Sequence, residues 1–220
     1  IAYLRTVESA VGVDDEFLLR STSELSLGRL LLPSGKVSDA PAASPICGFV
    51  AATDIESIIG HSEWRCNSTS QTVTDPCGHP AWRGITCSSS VIIQIKVEKR
   101  QLCGSLSSSL GSLTGLEQLT LNSNCLTGSI PSSLSSMIGL TQLDLSSNCL
   151  TGVIPPILGS ITGLNMLNLY ANNLLGTIPQ SLGSLTGLTA FYCSSNCLTG
   201  SLPSSLGSMT GLVELAVSVN

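Results

Sequence analysis

Residues 138–161 read IGLTQLDLSSNCLTGVIPPILGSI, and the same pattern returns every 24 residues. Leu143 and Leu145 alternate with polar residues, which is typical of a short strand with one buried face. Asn148 then ends the strand, Gly152 permits a turn, and Pro155 fixes an extended segment. A unit this short cannot bury its apolar face alone, so successive units must stack and bury it against one another.

The repeat runs from about residue 90 to the end of the sequence. Five full units (90–113, 114–137, 138–161, 162–185 and 186–209) precede a partial sixth. The positions that mark the repeat are Asn124, Asn148, Asn172, Asn196 and Asn220; Gly128, Gly152, Gly176 and Gly200; and Pro131, Pro155, Pro179 and Pro203. A stack of identical turns gives each asparagine amide the hydrogen-bond partners that burial requires. The last unit stops without a polar cap, so we expect the native chain to continue.

The charge of the chain is low and unevenly distributed. Only 10% of the residues are charged, the hydrophobic share is 42% and the net charge is −5. Residues 101–220 contain Glu117, Asp144 and Glu214 but no Lys or Arg. A nucleic-acid binder needs a basic face, so that class is excluded. No apolar run approaches the about 20 residues that span a bilayer, so we expect no membrane span in this segment.

The sequence offers little that could support catalysis. Its two histidines, His61 and His79, have no nearby second imidazole or spaced carboxylate, and we interpret both as solvated. The three isolated carboxylates of residues 101–220 do not supply the acid–base pair of a hydrolase. Phosphate-loop and nucleophile-elbow motifs are absent. We therefore predict a non-enzymatic protein without metal or cofactor.

Nine cysteines in a loop-rich chain indicate an oxidising compartment. Cys125 and Cys149 share one repeat position in adjacent units, and neighbouring strands lie about 4.8 Å apart. That distance suits a disulfide, so we predict a Cys125–Cys149 bridge, with Cys103 as a competing partner for Cys125. Cys197 is two units from Cys149, which is too far, and we expect its partner beyond the given sequence. Cys193 replaces a core leucine and should be a buried thiol.

Residues 47–89 have the features of a cap on the first unit. Thr53 to Glu56 form a capping box, which predicts a short helix ending at Gly60. The segment holds four cysteines, Cys47, Cys66, Cys77 and Cys87. Their spacing lacks the short clip typical of a zinc site, and sequence alone leaves their pairing open. Asn67 begins a sequon and is a predicted glycosylation site. Residues 1–46 form an N-terminal extension of unknown role.

The repeat, over about residues 90–220, resembles the plant-type 24-residue leucine-rich repeat, LxxLxLxxNxLxGxIPxxLGxL. The segment WRGITC at 82–87 is similar to the WxGVTC hallmark of the cap that precedes such repeats. The resemblance implies an α/β leucine-rich repeat solenoid with a parallel β-sheet on its concave face. Turns and 3₁₀ segments would cover the convex face, next to a small helical N-terminal cap. It also implies the disulfides Cys47–Cys66 and Cys77–Cys87.

The resemblance also implies a function, because the class includes receptor-kinase ectodomains and polygalacturonase-inhibiting proteins. These are secreted or cell-surface proteins that bind peptides, proteins or cell-wall components. We therefore predict an extracellular recognition module whose partners are other proteins or glycans. The candidate binding surface comprises outward strand positions: Gln118, Thr120, Asn122, Gln142, Asp144, Ser146, Met166, Asn168, Tyr170 and Tyr192.

Tyr170 and Tyr192 fall on neighbouring units and, with Met166, make the only large apolar cluster of that surface. Tyrosine is common at binding hot spots. The alternative is that these are ordinary exposed strand residues. Near-identical units with many hydroxyls also leave open an alternative function, in which the protein is a structural subunit of a cell-surface or extracellular assembly. A regular hydroxyl array that binds ice or glycans is a further, minor alternative.

Overall fold

A computed structural model describes Cys77, residues 84–89 and 91–218, and Asn220. Several predictions lie outside the described residues: the cap helix ending at Gly60, the Cys47–Cys66 pair, the Asn67 sequon, the two histidines and the 1–46 extension. Within the described residues, short strands alternate with 3₁₀ segments, and no α-helix occurs. None of these segments has the length and apolar character that crossing a bilayer requires.

The main sheet has seven strands, one from each successive turn of the chain. In sheet order they are β1 (Ile85–Ser88), β2 (Val91–Lys96), β4 (Gln118–Thr120), β6 (Gln142–Asp144), β7 (Met166–Asn168), β9 (Ala190–Tyr192) and β11 (Glu214–Ala216). The edge strand β1 is antiparallel to β2, and all other neighbours are parallel. The parallel strands pair with a step of one full repeat, so Gln94 lies beside Gln118 and Gln118 beside Gln142. The predicted parallel sheet is confirmed.

A second set of strands lies beyond the asparagine turn and pairs with a different step. It comprises β3 (Cys103–Ser105) with β5 (Cys125–Thr127), and β8 (Leu175–Gly176) with β10 (Cys197–Leu198). Here Cys103 faces Cys125, 22 residues away, and Leu175 faces Cys197. Equivalent repeat positions are therefore in register in the main sheet but displaced by two residues in this second set.

Five 3₁₀ segments form the opposite side of the stack. They span Ser108–Ser112, Ser132–Ser136, Pro156–Ser160, Gln180–Ser184 and Ser204–Ser208. Each of the last four follows a proline in extended conformation, for example Pro179 with φ −66° and ψ 137°. A fixed φ near that value lets proline precede the turn without strain. The predicted turns and 3₁₀ pieces are confirmed.

The core lies between the main sheet and the 3₁₀ segments. In the rung that the sequence pattern started from, Leu140, Leu143, Leu145, Leu158 and Ile161 are all fully buried. Each rung repeats this layer and packs it on the next, so the core is one continuous apolar column.

The asparagine turn holds neighbouring rungs together. The Asn148 amide nitrogen donates to the carbonyls of Leu145 and of Leu121 in the preceding rung, at 3.1 and 3.0 Å. Its carbonyl oxygen accepts from the Leu126 backbone N–H at 3.0 Å. Asn124, Asn172 and Asn196 make the equivalent bonds. The predicted asparagine ladder is confirmed.

The 3₁₀ segments of neighbouring rungs approach one another closely where a glycine in one rung packs against a serine in the next. A Cβ placed on Gly159 would lie 2.2 Å from the carbonyl oxygen of Ser181, far inside van der Waals contact. The Ser181 hydroxyl uses this closeness to donate a hydrogen bond to the Pro156 carbonyl. Glycine at this position is therefore a condition of rung-to-rung packing.

The cysteines pair differently from the sequence prediction in one case. Cys77 and Cys87 form a disulfide with Cα atoms 5.6 Å apart, as the family resemblance implied. The predicted Cys125–Cys149 bridge is wrong, because Cys125 is bonded to Cys103 with Cα atoms 4.6 Å apart. Cys149 is free and exposed. The error came from assuming the main-sheet step for residues that belong to the second set of strands.

Cys193 and Cys197 carry free thiols in different surroundings. Cys193 is buried in the core, as predicted, and burial raises the pKa of its thiol to about 12. Cys197 is exposed and faces Leu175 in the second set of strands.

The displaced register can be tested with a new disulfide. We expect Leu175→Cys to form a bridge with Cys197 under mild oxidation, because the two positions face each other. Asn173→Cys is the matched control, since it lies one full repeat before Cys197 and should leave the thiol free. Thiol counting and peptide mapping by mass spectrometry give the readout. A Cys197 bridge in the Asn173 variant instead would contradict the displaced register.

The close approach of the 3₁₀ segments predicts an unequal effect of one substitution at two repeat positions. Gly159→Ala should lower the free energy of unfolding by about 1–3 kcal/mol, because a rung must shift to admit the methyl group. Gly207→Ala is the control in this chain, since nothing lies within 4 Å of its added Cβ. Denaturant unfolding measures both, and equal losses would mean that the contact with Ser181 is unimportant.

Candidate functional site

The main sheet presents one surface, here called the strand face, built from three columns of side chains. One column contains the residues paired with Gln118, and a second those paired with Thr120. The third follows the strands and contains Asn122, Ser146 and Tyr170. All ten predicted binding residues therefore lie on this face, and the structure brings them together as expected from a strand repeat.

The ten residues differ in how much surface they offer. Tyr170 is the most open, with 46% of its surface exposed. Gln118, Asn122, Gln142, Asp144, Met166, Asn168 and Tyr192 are half-buried. Thr120 and Ser146 retain only 4% and 7% exposure, so they offer almost no contact area on this face. Both have Asp144 as a neighbour, since Thr120 lies directly opposite it and the Ser146 hydroxyl donates a hydrogen bond to it.

Hydrogen bonds link the polar side chains at the start of the strand face. The Thr86 hydroxyl donates to Gln94 Oε1 at 3.0 Å. Gln94 Nε2 in turn donates to Gln118 Oε1 at 2.6 Å. The amides of the first column are thereby oriented along the stack.

In the next rungs, side-chain oxygens of the second column accept hydrogen bonds from residues two positions further along the same chain segment. Asp144 Oδ1 accepts from the backbone N–H and the hydroxyl of Ser146, at 3.0 and 2.7 Å. Asn168 Oδ1 accepts from the Tyr170 backbone N–H at 3.1 Å. These bonds fix the chain where each strand ends, and they place the Tyr170 side chain at the rim of the face.

The strand register places Met166, Tyr170 and Tyr192 near one another across two rungs, and these three residues are here called the apolar cluster. Tyr192 lies opposite Asn168, so Met166 and Tyr170 are its two diagonal neighbours on the adjacent strand. Diagonal pairs in a sheet are about 7–8 Å apart, within reach of aromatic and long side chains. The cluster gives the strand face an area with both aromatic surface and hydroxyl groups.

Tyr192 has a carboxylate partner that the sequence did not reveal. Its hydroxyl donates to Glu214 Oε2 on the next strand. This hydrogen bond, together with desolvation and the charge of Glu214, raises the pKa of Tyr192 above its ordinary value. The repeat spacing contains this contact as a diagonal pair on adjacent strands, since Glu214 lies opposite Ala190, two residues before Tyr192.

A cleft of about 330 Å³ lies at the other end of the strand face. Its charged lining residues are Lys96, Glu98 and Arg100, and Thr86 and Gln94 add polar groups. Lys96 Nζ lies 3.5 Å from Glu98 Oε2. The sequence did not reveal this cleft, because its wall is the antiparallel strand β1, which lies outside the repeat.

Nothing in the described part of the chain resembles a metal centre, since no three His, Cys, Asp or Glu side chains there are grouped as ligands. The chemistry of the strand face is that of amides, hydroxyls, two phenols and a few charges. Such groups can bind a partner by hydrogen bonds and apolar contact.

Comparison with known proteins agrees with this description. Residues 115–137, 139–161, 163–185 and 187–209 match the family model described as Leucine Rich Repeat. These four segments coincide with the rungs that carry β4 to β10 and with the four 3₁₀ segments from Ser132–Ser136 to Ser204–Ser208.

Three solved plant structures are similar to the chain. The structure of PEPR1–AtPEP1 shares 34% identity over 79% of this chain and 24% of that chain, with a TM-score of 0.70. The BIR2 ectodomain from Arabidopsis thaliana shares 27% identity over 82% of this chain and 95% of that chain, with a TM-score of 0.64. The structure of the Arabidopsis receptor kinase HAESA was solved with the peptide hormone IDA and the co-receptor SERK1. It shares 27% identity over 79% of this chain and 32% of that chain, with a TM-score of 0.55.

These matches differ in how much of the similar protein they cover. The chain spans about a quarter of the PEPR1 chain but nearly all of the BIR2 ectodomain.

The tyrosine–carboxylate pair predicts a specific titration. Glu214→Gln should lower the pKa of Tyr192 towards its ordinary value, because the hydrogen bond to a charged acceptor and the adjacent negative charge are both lost. Any stability that the pair adds is present at neutral pH and is lost as the pH rises through the raised pKa. Tyrosine-labelled NMR titration, with Tyr192→Phe to assign the signal, measures the shift. Glu117→Gln is the control, and an equal change there would rule out the direct contact as the cause.

Proposed function

We propose that this leucine-rich repeat protein is a non-enzymatic extracellular recognition module, and that its strand face binds a peptide or protein partner. The similar solved structures include a receptor kinase in complex with a peptide hormone and a co-receptor. What those proteins bind is a property of them. For this chain, the argument comes from its own surface.

The observation that carries the proposal is the cluster of Met166, Tyr170 and Tyr192 on the strand face. Most of that face consists of short or amide side chains, so the cluster concentrates nearly all of its apolar contact area. Tyrosine combines a large rigid ring with a hydrogen-bonding hydroxyl and loses little conformational entropy on binding. A partner that covers the two phenols would exclude water from them and gain most of its affinity there.

Two further features support an extracellular location. The Cys77–Cys87 and Cys103–Cys125 disulfides are of the kind that persist in oxidising compartments. The similar BIR2 structure is itself an ectodomain. We propose that the chain reaches its partner in the secretory pathway or at the cell surface.

A soluble library of short synthetic peptides with free termini can test the function. The immobilised chain captures peptides, and mass spectrometry identifies them. Each captured peptide is then measured against Tyr170→Ala combined with Tyr192→Ala. We expect a loss of affinity of more than about tenfold, because buried aromatic anchors carry most of the binding energy. Ile157→Ala is the matched control, since Ile157 is an exposed apolar residue in a 3₁₀ segment on the opposite side of the stack.

The outcomes are distinct. Binding that weakens only in the double tyrosine variant supports recognition by the strand face. Peptides that bind the variant equally well, or a library that yields no binder, contradict it. Self-association that Leu175→Glu abolishes and the tyrosine substitutions do not would favour a structural assembly, because Val153 and Leu175 are exposed and in register.

A further inference from the structure

Positive charge in the described part of the chain is confined to one short stretch of the first rung, the repeat unit 90–113. The described cations are Lys96, Lys99 and Arg100. No later unit has a lysine or an arginine at the equivalent positions, since residues 101–220 contain neither. The repeat itself therefore does not require these three charges.

Arg100 stands at the repeat position of the ladder asparagines, 24 residues before Asn124. Those asparagines are buried because their amides bond to the preceding parallel rung, as Asn148 does with the Leu121 carbonyl. The first rung has no parallel strand before it, because its neighbour β1 is antiparallel. An asparagine at position 100 would lack that partner. The Arg100 backbone N–H is satisfied by Asn124 Oδ1 at 3.0 Å, and its side chain is exposed.

The Arg100 side chain lines the cleft beside the first rung, together with two further charged residues, Lys96 and Glu98. Lys96 Nζ lies 3.5 Å from Glu98 Oε2, so these two charges offset each other. The Arg100 guanidinium has no ion-pair partner among the described residues. A guanidinium group in this situation can hold an oxyanion through paired hydrogen bonds.

Neutral hydrogen-bonding groups complete the lining of the cleft. Gln94 Nε2 donates one of its two protons to Gln118 Oε1, and Gln94 Oε1 accepts from the Thr86 hydroxyl. The other amide proton of Gln94 points to no acceptor in the described residues and is available to a ligand. Ile85 is the one aliphatic side chain of the lining, which contains no aromatic ring. A ligand of this cleft is therefore held by polar groups.

The size and the mixed polarity of the cleft select a class of ligand. Its volume of about 330 Å³ is at the lower end of the range for small-molecule sites, about 300–1,000 Å³. An inorganic anion would use the cations but not the Glu98 oxygens, and a neutral sugar would leave Arg100 unpaired. A sugar unit that carries an anionic group can use all of them, because its hydroxyls both donate and accept hydrogen bonds.

We propose that the cleft is a second binding site of this protein and that it takes an anionic sugar unit. The carboxylate or sulfate group of the sugar binds Arg100, and its hydroxyls bond to Glu98 and Gln94. Three strand steps, about 14 Å, separate β2 from β7, the strand of Met166 in the apolar cluster. The site is thus distinct from the apolar cluster and goes beyond the recognition of a peptide or protein there.

Short oligosaccharides test the site on the 220-residue chain. The probes are a galacturonic acid trimer, a sulfated galactose trimer, an unmodified galactose trimer and inorganic sulfate. Calorimetry measures affinity, and amide NMR locates the binding. We expect at least one anionic trimer to bind more tightly than the neutral trimer and inorganic sulfate, with signal changes at residues 84–86 and 94–100. The tighter of the two anionic trimers identifies the anionic group, and its binding should weaken at high salt.

A pair of variants separates a contact in the cleft from general attraction. Arg100→Gln should weaken the tighter trimer about three- to tenfold, as expected for the loss of a hydrogen-bonded charge at an exposed site. Lys99→Gln is the matched control, since it removes the same charge from an exposed neighbour that does not line the cleft. Its effect should stay below about twofold, because solvent and salt screen a charge that makes no contact.

Each contrary result overturns the proposal in its own way. Equal losses in Arg100→Gln and Lys99→Gln would show a diffuse attraction without a site. Inorganic sulfate or the neutral trimer binding as tightly as both anionic trimers would refute the assignment to an anionic sugar, and so would the failure of both anionic trimers to bind. Signal changes centred on Met166 would place the ligand elsewhere. The role of the apolar cluster is measured separately, through Tyr170 and Tyr192.

Discussion

The buried asparagine amide is the interaction on which the rest of the structure depends. Where each strand ends, the chain turns sharply, and backbone groups there would be buried without partners if the turn stood alone. Asn148 supplies donors to carbonyls of its own and the preceding rung, and an acceptor to the Leu126 N–H. A buried polar group left unsatisfied costs about 1–3 kcal/mol. One side chain thus satisfies several groups, but only when a second turn of the same shape lies beside it. Stacking is therefore a requirement of each turn and not only of the apolar core.

This requirement fixes what each side of the stack can do. The main sheet keeps equivalent residues side by side, so a change in one rung alters a column and its neighbours. On the opposite side, the 3₁₀ segments pack with a glycine in one rung against a serine in the next, as at Gly159 and Ser181. Where Ser135 replaces that glycine, Ile157 stands where the serine would be, and the serine hydroxyl bond between rungs is missing there. The two changes occur together because the close approach needs both partners. The strand face takes no part in this packing, because its side chains project away from the contacts that hold the rungs together.

The sequence predicted the features that depend on a single repeat step. The positions of the strands, the core leucines, the asparagine ladder and the columns of the strand face all follow from the period. It failed where a second register applies, since nothing in the spacing of Cys125 and Cys149 reveals that strands beyond the turn are displaced by two residues. The low exposure of Thr120 and Ser146 was also not visible in the sequence, because burial on a strand face depends on the length of neighbouring side chains as well as on orientation. The contact between Tyr192 and Glu214 was missed for a third reason, that diagonal pairs are not visible in a column-by-column comparison.

The scarcity of charge in residues 101–220 has a physical origin in the same columns. Side chains at one repeat position lie on adjacent strands about 4.8 Å apart, and like charges directly opposite each other destabilise a sheet. A unit that is repeated with a lysine or an arginine on its strand would place a row of cations at this spacing. Neutral polar side chains avoid the repulsion and can bond to their own kind, as Gln94 does with Gln118 and Ser194 with Ser218. Charge is then tolerated where it is singular, as at Lys96, Asp144 and Glu214, each of which lies beside neutral side chains in its column. The sparse placement of charge on the strand face thus follows from the repetition that builds the fold.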